Sequence, residues 1–256
     1  MYRLGPVLVL TLLLWIQPQR ISQATDAPAL VDRAEVVLLR DYERWVDYGF
    51  RREVHRERLD KSGAISWSTD YLFEVSTKAS GFDELLIEID GRTPTAAEVV
   101  EHRKAARFQK HYENAGSLRN PFGKEIPLLP LLFDQKHEYV GRRYIRGHPC
   151  YKTRFSARNP PPKLPARRRL PYVLSGEACF SIQGDHLVVA EMESARPVSA
   201  GIAKLQYLKI RLESEPVGAD QWLPTRFEVR SDVRLGMKWL RKSNRYRYSK
   251  YRRADS

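Results

Sequence analysis

The stretch Ile65-Ser66-Trp67-Ser68-Thr69-Asp70-Tyr71-Leu72-Phe73-Glu74-Val75-Ser76 decides the fold class. Ile65, Trp67, Thr69, Tyr71, Phe73 and Val75 fall on one side at a period of two, and Ser66, Ser68, Asp70, Glu74 and Ser76 fall on the other. Successive side chains of a strand point to opposite faces, so this is a half-buried strand of an antiparallel sheet. Upstream, residues 50–59 form its hairpin partner across Asp60-Lys61-Ser62-Gly63, and downstream Leu85, Ile87 and Ile89 continue the meander to Asp90-Gly91.

Before the meander the period changes. Leu30, Val31, Ala34, Val37, Leu38, Tyr42 and Trp45 recur at three and four with charged residues between them, which predicts an amphipathic helix starting near Pro28. After it, Thr95-Ala96-Ala97-Glu98 has the spacing of a capping box and opens a second helix reaching about residue 112. That helix is mostly polar, which places it on the surface or over an opening. The apolar segment 126–133 carries Pro127 and Pro130, so it reads as neither a regular helix nor an interior strand. Its Leu128, Leu129, Leu131 and Leu132 suit a gate or a membrane-dipping loop, and equally a buried connector.

The remainder reads as strands over 135–146, 150–156, 177–182, 187–194, 205–213, 223–231 and 238–251, with a Pro-rich connection at 159–165. About ten antiparallel strands with one leading and one inserted helix predict an α+β, mostly β domain. The expected form is a single strongly curved antiparallel sheet, a half-barrel, with helices covering its concave face. An apolar cavity between sheet and helices follows as the natural ligand site. Trp67, Tyr71 and Phe73 share one face of their strand and Phe227 and Val229 one face of theirs, so these five are expected to line it.

Residues 1–24 have Arg3, an apolar run over 7–16 and small residues at Ser22 and Ala24, the pattern of an export signal cleaved after Ala24. This leaves 25–256 as one domain, expected in the periplasm. Of the formal net charge of +13, the signal holds only Arg3 and Arg20, so the mature chain stays basic. Arg167, Arg168, Arg169, Arg245 and Arg247 are candidates for contact with an anionic membrane surface, set against a final strand with a merely solvated basic face. Export argues against nucleic acid as the partner of the aromatic and basic C-terminus. Cys150 and Cys179, the only cysteines, are either bridged or two buried thiols.

No catalytic or metal motif emerges. The six histidines show no paired metal-ligand spacing, His137-Glu138 lacks the second His of a zinc protease, and there is no Gly-Xaa-Ser-Xaa-Gly elbow or phosphate loop. Glu191 and Glu193 share a strand face without the facing position across a cleft that glycoside hydrolysis needs. No metal or other cofactor is expected.

Three segments carry a family resemblance: Gly147-His148-Pro149-Cys150-Tyr151, then Gly176-Glu177-Ala178-Cys179-Phe180-Ser181-Ile182 leading into Leu187-Val188-Val189-Ala190-Glu191-Met192, and Gln221-Trp222-Leu223-Pro224-Thr225-Arg226-Phe227-Glu228-Val229. With the element order, the chain resembles an uncharacterised branch of exported bacterial proteins of the LolA/LolB-like lipoprotein-localisation superfamily. The resemblance implies a periplasmic, non-enzymatic binding or carrier protein for a lipid, an acyl chain or a lipoprotein. The alternatives are an exported hydrolase of lipid or cell-wall material, and an envelope scaffold that binds another protein.

Overall fold

A computed structural model of the chain describes residues 26–254 except 79–80, 110–116, 120–124, 162, 165–168 and 219. The predicted export signal and Arg167 and Arg168 therefore lie outside the described residues. Helix α1 (Ala27–Glu43) leads through a 3-10 turn (Arg44–Asp47) into strands β1 (Tyr48–Leu59), β2 (Ile65–Lys78) and β3 (Gly81–Ile89). Then follow α2 (Ala96–Gln109), the short strands β4 (Ser117–Arg119) and β5 (Glu125–Pro127), and α3 (Leu128–Phe133). Strands β6 (His137–Ile145) and β7 (His148–Phe155) precede α4 (Leu170–Val173), β8 (Leu174–Ser181), β9 (Leu187–Ser194) and β10 (Val198–Ala200). The chain ends in the long strands β11 (Ala203–Pro216), β12 (Trp222–Leu235) and β13 (Lys238–Arg253).

The main sheet is antiparallel in every pairing, and its order is β3-β2-β1-β13-β12-β11-β9-β8-β7-β6 with β10 added on β11. It is open, with β3 and β6 as its two ends. The N-terminal meander joins the rest through β1 pairing with the last strand, Val54 opposite Tyr246 and Arg58 opposite Lys242. Nothing in the local periodicity announces that pairing.

The predicted turns and caps form from the expected side chains. One Asp60 carboxylate oxygen accepts from the amides of Ser62 at 2.8 Å and Ala64 at 3.0 Å, while Gly63 supplies the positive φ of 90° that the tight turn requires. The Thr95 amide donates to Glu98 at 2.8 Å and the Glu98 amide to the Thr95 hydroxyl at 3.3 Å, completing the capping box. Arg92 also binds both Glu98 carboxylate oxygens, and these partners, Arg92 first, hold the Glu98 carboxyl at a pKa of about 2.

The irregular reading of 126–133 is overturned: Leu128–Phe133 is a short helix. Pro130 falls within its first turn, where the missing N–H has no intrahelical acceptor to lose. Leu131 and Leu132 are buried under α1 in the main core, so these two are core residues and not an exposed gate. The side chains of Leu128 and Leu129 lie outside the described residues.

Two apolar clusters share one face of the sheet. The larger packs Leu30, Leu38 and Tyr42 of α1 and Leu131 and Leu132 of α3 on Phe155, Phe180, Ala190, Met192, Ile210 and Leu212. Gly176 admits this packing, since a Cβ there would stand 2.9 Å from the Phe155 ring and 2.8 Å from the Met192 Cα. The smaller cluster holds Phe50, Val54, Phe73, Val75, Leu86 and Ile89 of β1 to β3. Trp45 joins them, its ring 5.8 Å from Tyr42, 5.5 Å from Phe50 and 5.4 Å from Tyr248. On the opposite face Cys150 and Cys179 form a disulfide, Cα atoms 5.6 Å apart, packed with Val188. Helix α1 is pinned at its end by the buried Asp41, which binds His186 Nδ1 at 2.7 Å, while its carbonyl accepts from Gln221 at 2.8 Å.

Candidate ligand-binding face

Strand register carries one row of side chains across the whole sheet. Ile89, Tyr71, Val54, Tyr246, Phe227, Leu212, Ala190, Ala178, Thr153 and Tyr139 are consecutive cross-strand partners from β3 to β6. Alternation puts the row on the face that bears α1. All five predicted cavity residues, Trp67, Tyr71, Phe73, Phe227 and Val229, share this face, with Phe227 and Tyr246 in ring contact at 5.8 Å.

Their environments differ. Phe73 is fully buried, with the Arg52 guanidinium 4.8 Å and the His102 ring 4.8 Å from its centroid, so protein covers both approaches to it. Arg52 is itself buried against Glu84 at 2.7 Å, an ion pair on the apolar face that alternation alone does not reveal. Tyr71, Phe227 and Val229 are half-buried, and Trp67 is 47% exposed beside Ile65 at 59%.

The cavity expected between helix and sheet is closed on the α1 side. Leu38, Tyr42, Leu132, Ala190, Met192, Ile210 and Leu212 leave a void of only about 10 Å³ there. That is about the room one water molecule needs and far too little for an acyl chain, so this is packed core. Accessible apolar surface on this face lies instead over β2, β1, β13 and β12, at Ile65, Trp67, Tyr71 and Val229.

The opposite face of the sheet is charged. Glu177 binds Lys152 and Arg154, Glu191 binds Lys209 and Arg211, Arg226 binds Glu228, and Arg245 binds Glu57. Over β13, β1 and β2 it forms a polar groove of about 380 Å³ lined by Glu53, His55, Asp70, Leu72, Glu88, Arg245 and Arg247, among others. His55 spans it, Nδ1 at 2.5 Å from Asp70 and Nε2 at 2.9 Å from Glu57. Burial opposes the charged imidazole, but these two carboxylates outweigh it and raise the His55 pKa. The groove lining contains no serine, cysteine or lysine.

Of the residues assigned to an anionic surface, Arg245 is engaged with Glu57, Arg247 lines the groove, and Arg169 is exposed with its Nε donating to the Leu164 carbonyl at 2.7 Å. None of the rings of His55, His137, His148 and His186 hydrogen-bonds both a hydroxyl and a carboxylate. His137 reaches Thr153 and the Leu132 carbonyl, and His186 reaches Asp41. Among the described residues no His, Cys, Asp and Glu side chains converge as a metal site, and no helix is long and apolar enough to cross a membrane.

No protein-family model and no curated protein matches the chain. Solved structures do match it. A LolA superfamily protein of Nitrosomonas europaea is 12% identical, over 88% of this chain and 92% of that one, at a TM-score of 0.33. A DUF1329 family protein of Desulfovibrio piger is 11% identical over 87% and 92%, at 0.34. The Mycobacterium tuberculosis lipoprotein LppX is 11% identical over 88% and 96%, at 0.28.

Proposed function

We propose that this chain is an exported, non-catalytic protein that binds the acyl chain of a lipid or lipoprotein on the open half of its apolar sheet face. The observation that carries the reading is the exposure of Ile65 at 59% and Trp67 at 47% on the face that holds the main hydrophobic core over β6 to β11. Grouped exposed apolar side chains on a soluble protein mark a binding surface, because burying them removes apolar area from water. The half-buried Tyr71, Tyr246 and Phe227 of the same row continue this surface toward the packed half and supply a track for an extended hydrocarbon. In this reading the α1-bearing face is the concave one, and α1 closes one end of the ligand site.

Competition with a fluorescent fatty-acyl probe tests it. The wild-type protein is expected to bind the probe and release it to unlabelled fatty acid, and Trp67→Ser to bind about tenfold more weakly by removing the indole that covers the chain. No probe binding by the wild-type protein, together with no lipid in an organic extract of protein purified from an exporting host, would overturn the reading.

A further inference from the structure

We propose that the ligand is an anionic phospholipid, its headgroup seated on Arg56, Arg58 and Lys242 and its acyl chain lying along Trp67, Tyr71 and Val229. This rests on the acyl-binding reading above and adds the charge of the ligand. Arg56 and Arg58 of β1 and Lys242 of β13 stand on the same face as Val54 and Tyr246 by strand alternation. Arg58 lies directly between Trp67 on one side and Lys242 on the other, and Arg56 between Thr69 and Asn244. Lys242 in turn faces Ser231. Arg56 also lies over the Tyr71 ring at 5.1 Å, so cation and aromatic track are contiguous.

No acidic side chain of the described residues pairs with these three cations. Glu84, on the same face, is held by Arg52 beside Phe73, toward the other end of the strands. The contrast with the opposite face of the same strands is plain, since Arg245 there has Glu57 and Arg241 has Asp232. Like charges directly opposite each other in a sheet repel and destabilise it. Arg58 facing Lys242 without a carboxylate therefore costs the fold something that a bound anion would return. A phosphodiester headgroup with no cation of its own carries that net anion, accepts paired N–H bonds from a guanidinium, and brings the hydrocarbon that the neighbouring Trp67 can cover.

Calorimetric titration of the mature protein at low salt tests this with three probes: lysophosphatidylglycerol, lysophosphatidylcholine of the same acyl chain, and glycerol 3-phosphate. The wild-type protein is expected to bind the glycerol lipid about tenfold tighter than the choline lipid, a preference lost near ~0.5 M salt. In Arg58→Gln/Lys242→Gln the preference should fall below about twofold, chiefly through weaker binding of the glycerol lipid, while the unfolding midpoint holds or rises. Equal wild-type affinity for the two lipids overturns the headgroup site and leaves acyl binding standing, whereas no binding of either lipid overturns both. Glycerol 3-phosphate bound as tightly as its lipid would make this a phosphate site and overturn the lipid assignment. A lower midpoint in the double variant would assign the pair a structural role, and so would preference retained in Lys242→Glu.

Discussion

The two halves of the apolar sheet face are built from similar strands and end in different states. From β6 to β11 the face is dry, because α1 and α3 lay Leu30, Leu38, Tyr42, Leu131 and Leu132 on it. From β12 to β2 the same alternation leaves Trp67, Tyr71 and Val229 partly in water and interleaves them with Arg56, Arg58 and Lys242. An alternating pattern thus specifies which side of a strand is apolar and not whether that side is covered. Coverage follows from where a helix begins and what it can reach, and Asp41 with His186 fixes that reach for α1.

The comparison breaks most directly through paired truncations. Phe180→Ala in the dry half is expected to cost about 3–5 kcal/mol, the range for deleting a fully buried aromatic. Trp67→Ala in the open half should stay within about 0.5 kcal/mol, as exposed substitutions do. Urea denaturation of both measures the gap, and similar losses would mean that the open half is core as well.

Reducing the Cys150–Cys179 bridge should cost about 3–4 kcal/mol, because the bridge closes a segment with a sequence separation of 29 in the unfolded chain. The bridge ties β7 to β8 within the dry half. Hydrogen exchange under reducing conditions should therefore loosen β7 and β8 before β1 and β2, and the reverse order would place the less stable half elsewhere.

Arg52→Met alone should cost about 3 kcal/mol by leaving Glu84 buried without its guanidinium, and adding Glu84→Leu should recover most of that loss. A thermal-unfolding double-mutant cycle reads the coupling. Additive losses would mean that the pair is not the link between β1 and β3 that the geometry shows.

Two histidines should give the smallest effects, of opposite sign. His137 is buried and its pKa is lowered by that burial, so the unfolded chain takes the proton more readily. Its contribution is present above about pH 6.5 and falls as pH drops below that value toward the folded pKa. His55 has a raised pKa, so its contribution is present below about pH 6.5 and disappears as pH rises through its folded pKa. Replacing each with Gln and following the unfolding midpoint between about pH 5 and 8 separates them. His137→Gln should flatten the acid side and His55→Gln the neutral side, and one common slope would contradict the two environments.

Much of the fold is legible in the sequence for local reasons. The period-two run at Ile65–Val75, the three-four spacing of α1, the Asp60 turn and the Thr95/Glu98 cap each depend on residues within a few positions of one another. The 126–133 segment reads against a helix because two prolines weigh against one in general, whereas Pro130 sits in the one turn that tolerates it. The candidate site was legible only as a shared face. That Phe73 would be sealed by Arg52 and His102 while Trp67 stays in water depends on strands and a helix meeting across the sheet.

By itself the sequence determined most element types, the antiparallel hairpins and the apolar side of the strands, all consequences of backbone periodicity and turn chemistry. Only the tertiary structure decided that β13 lies between β1 and β12, that α1 fills its half of the face, that Cys150 meets Cys179, and that Arg58 meets Lys242 with no acid of the described residues between them. The reason is physical: strand alternation repeats identically in every register and against every neighbour. The choice among neighbours is made by side chains far apart in sequence, such as Val54 and Tyr246, which pack against each other only once the strands are brought together.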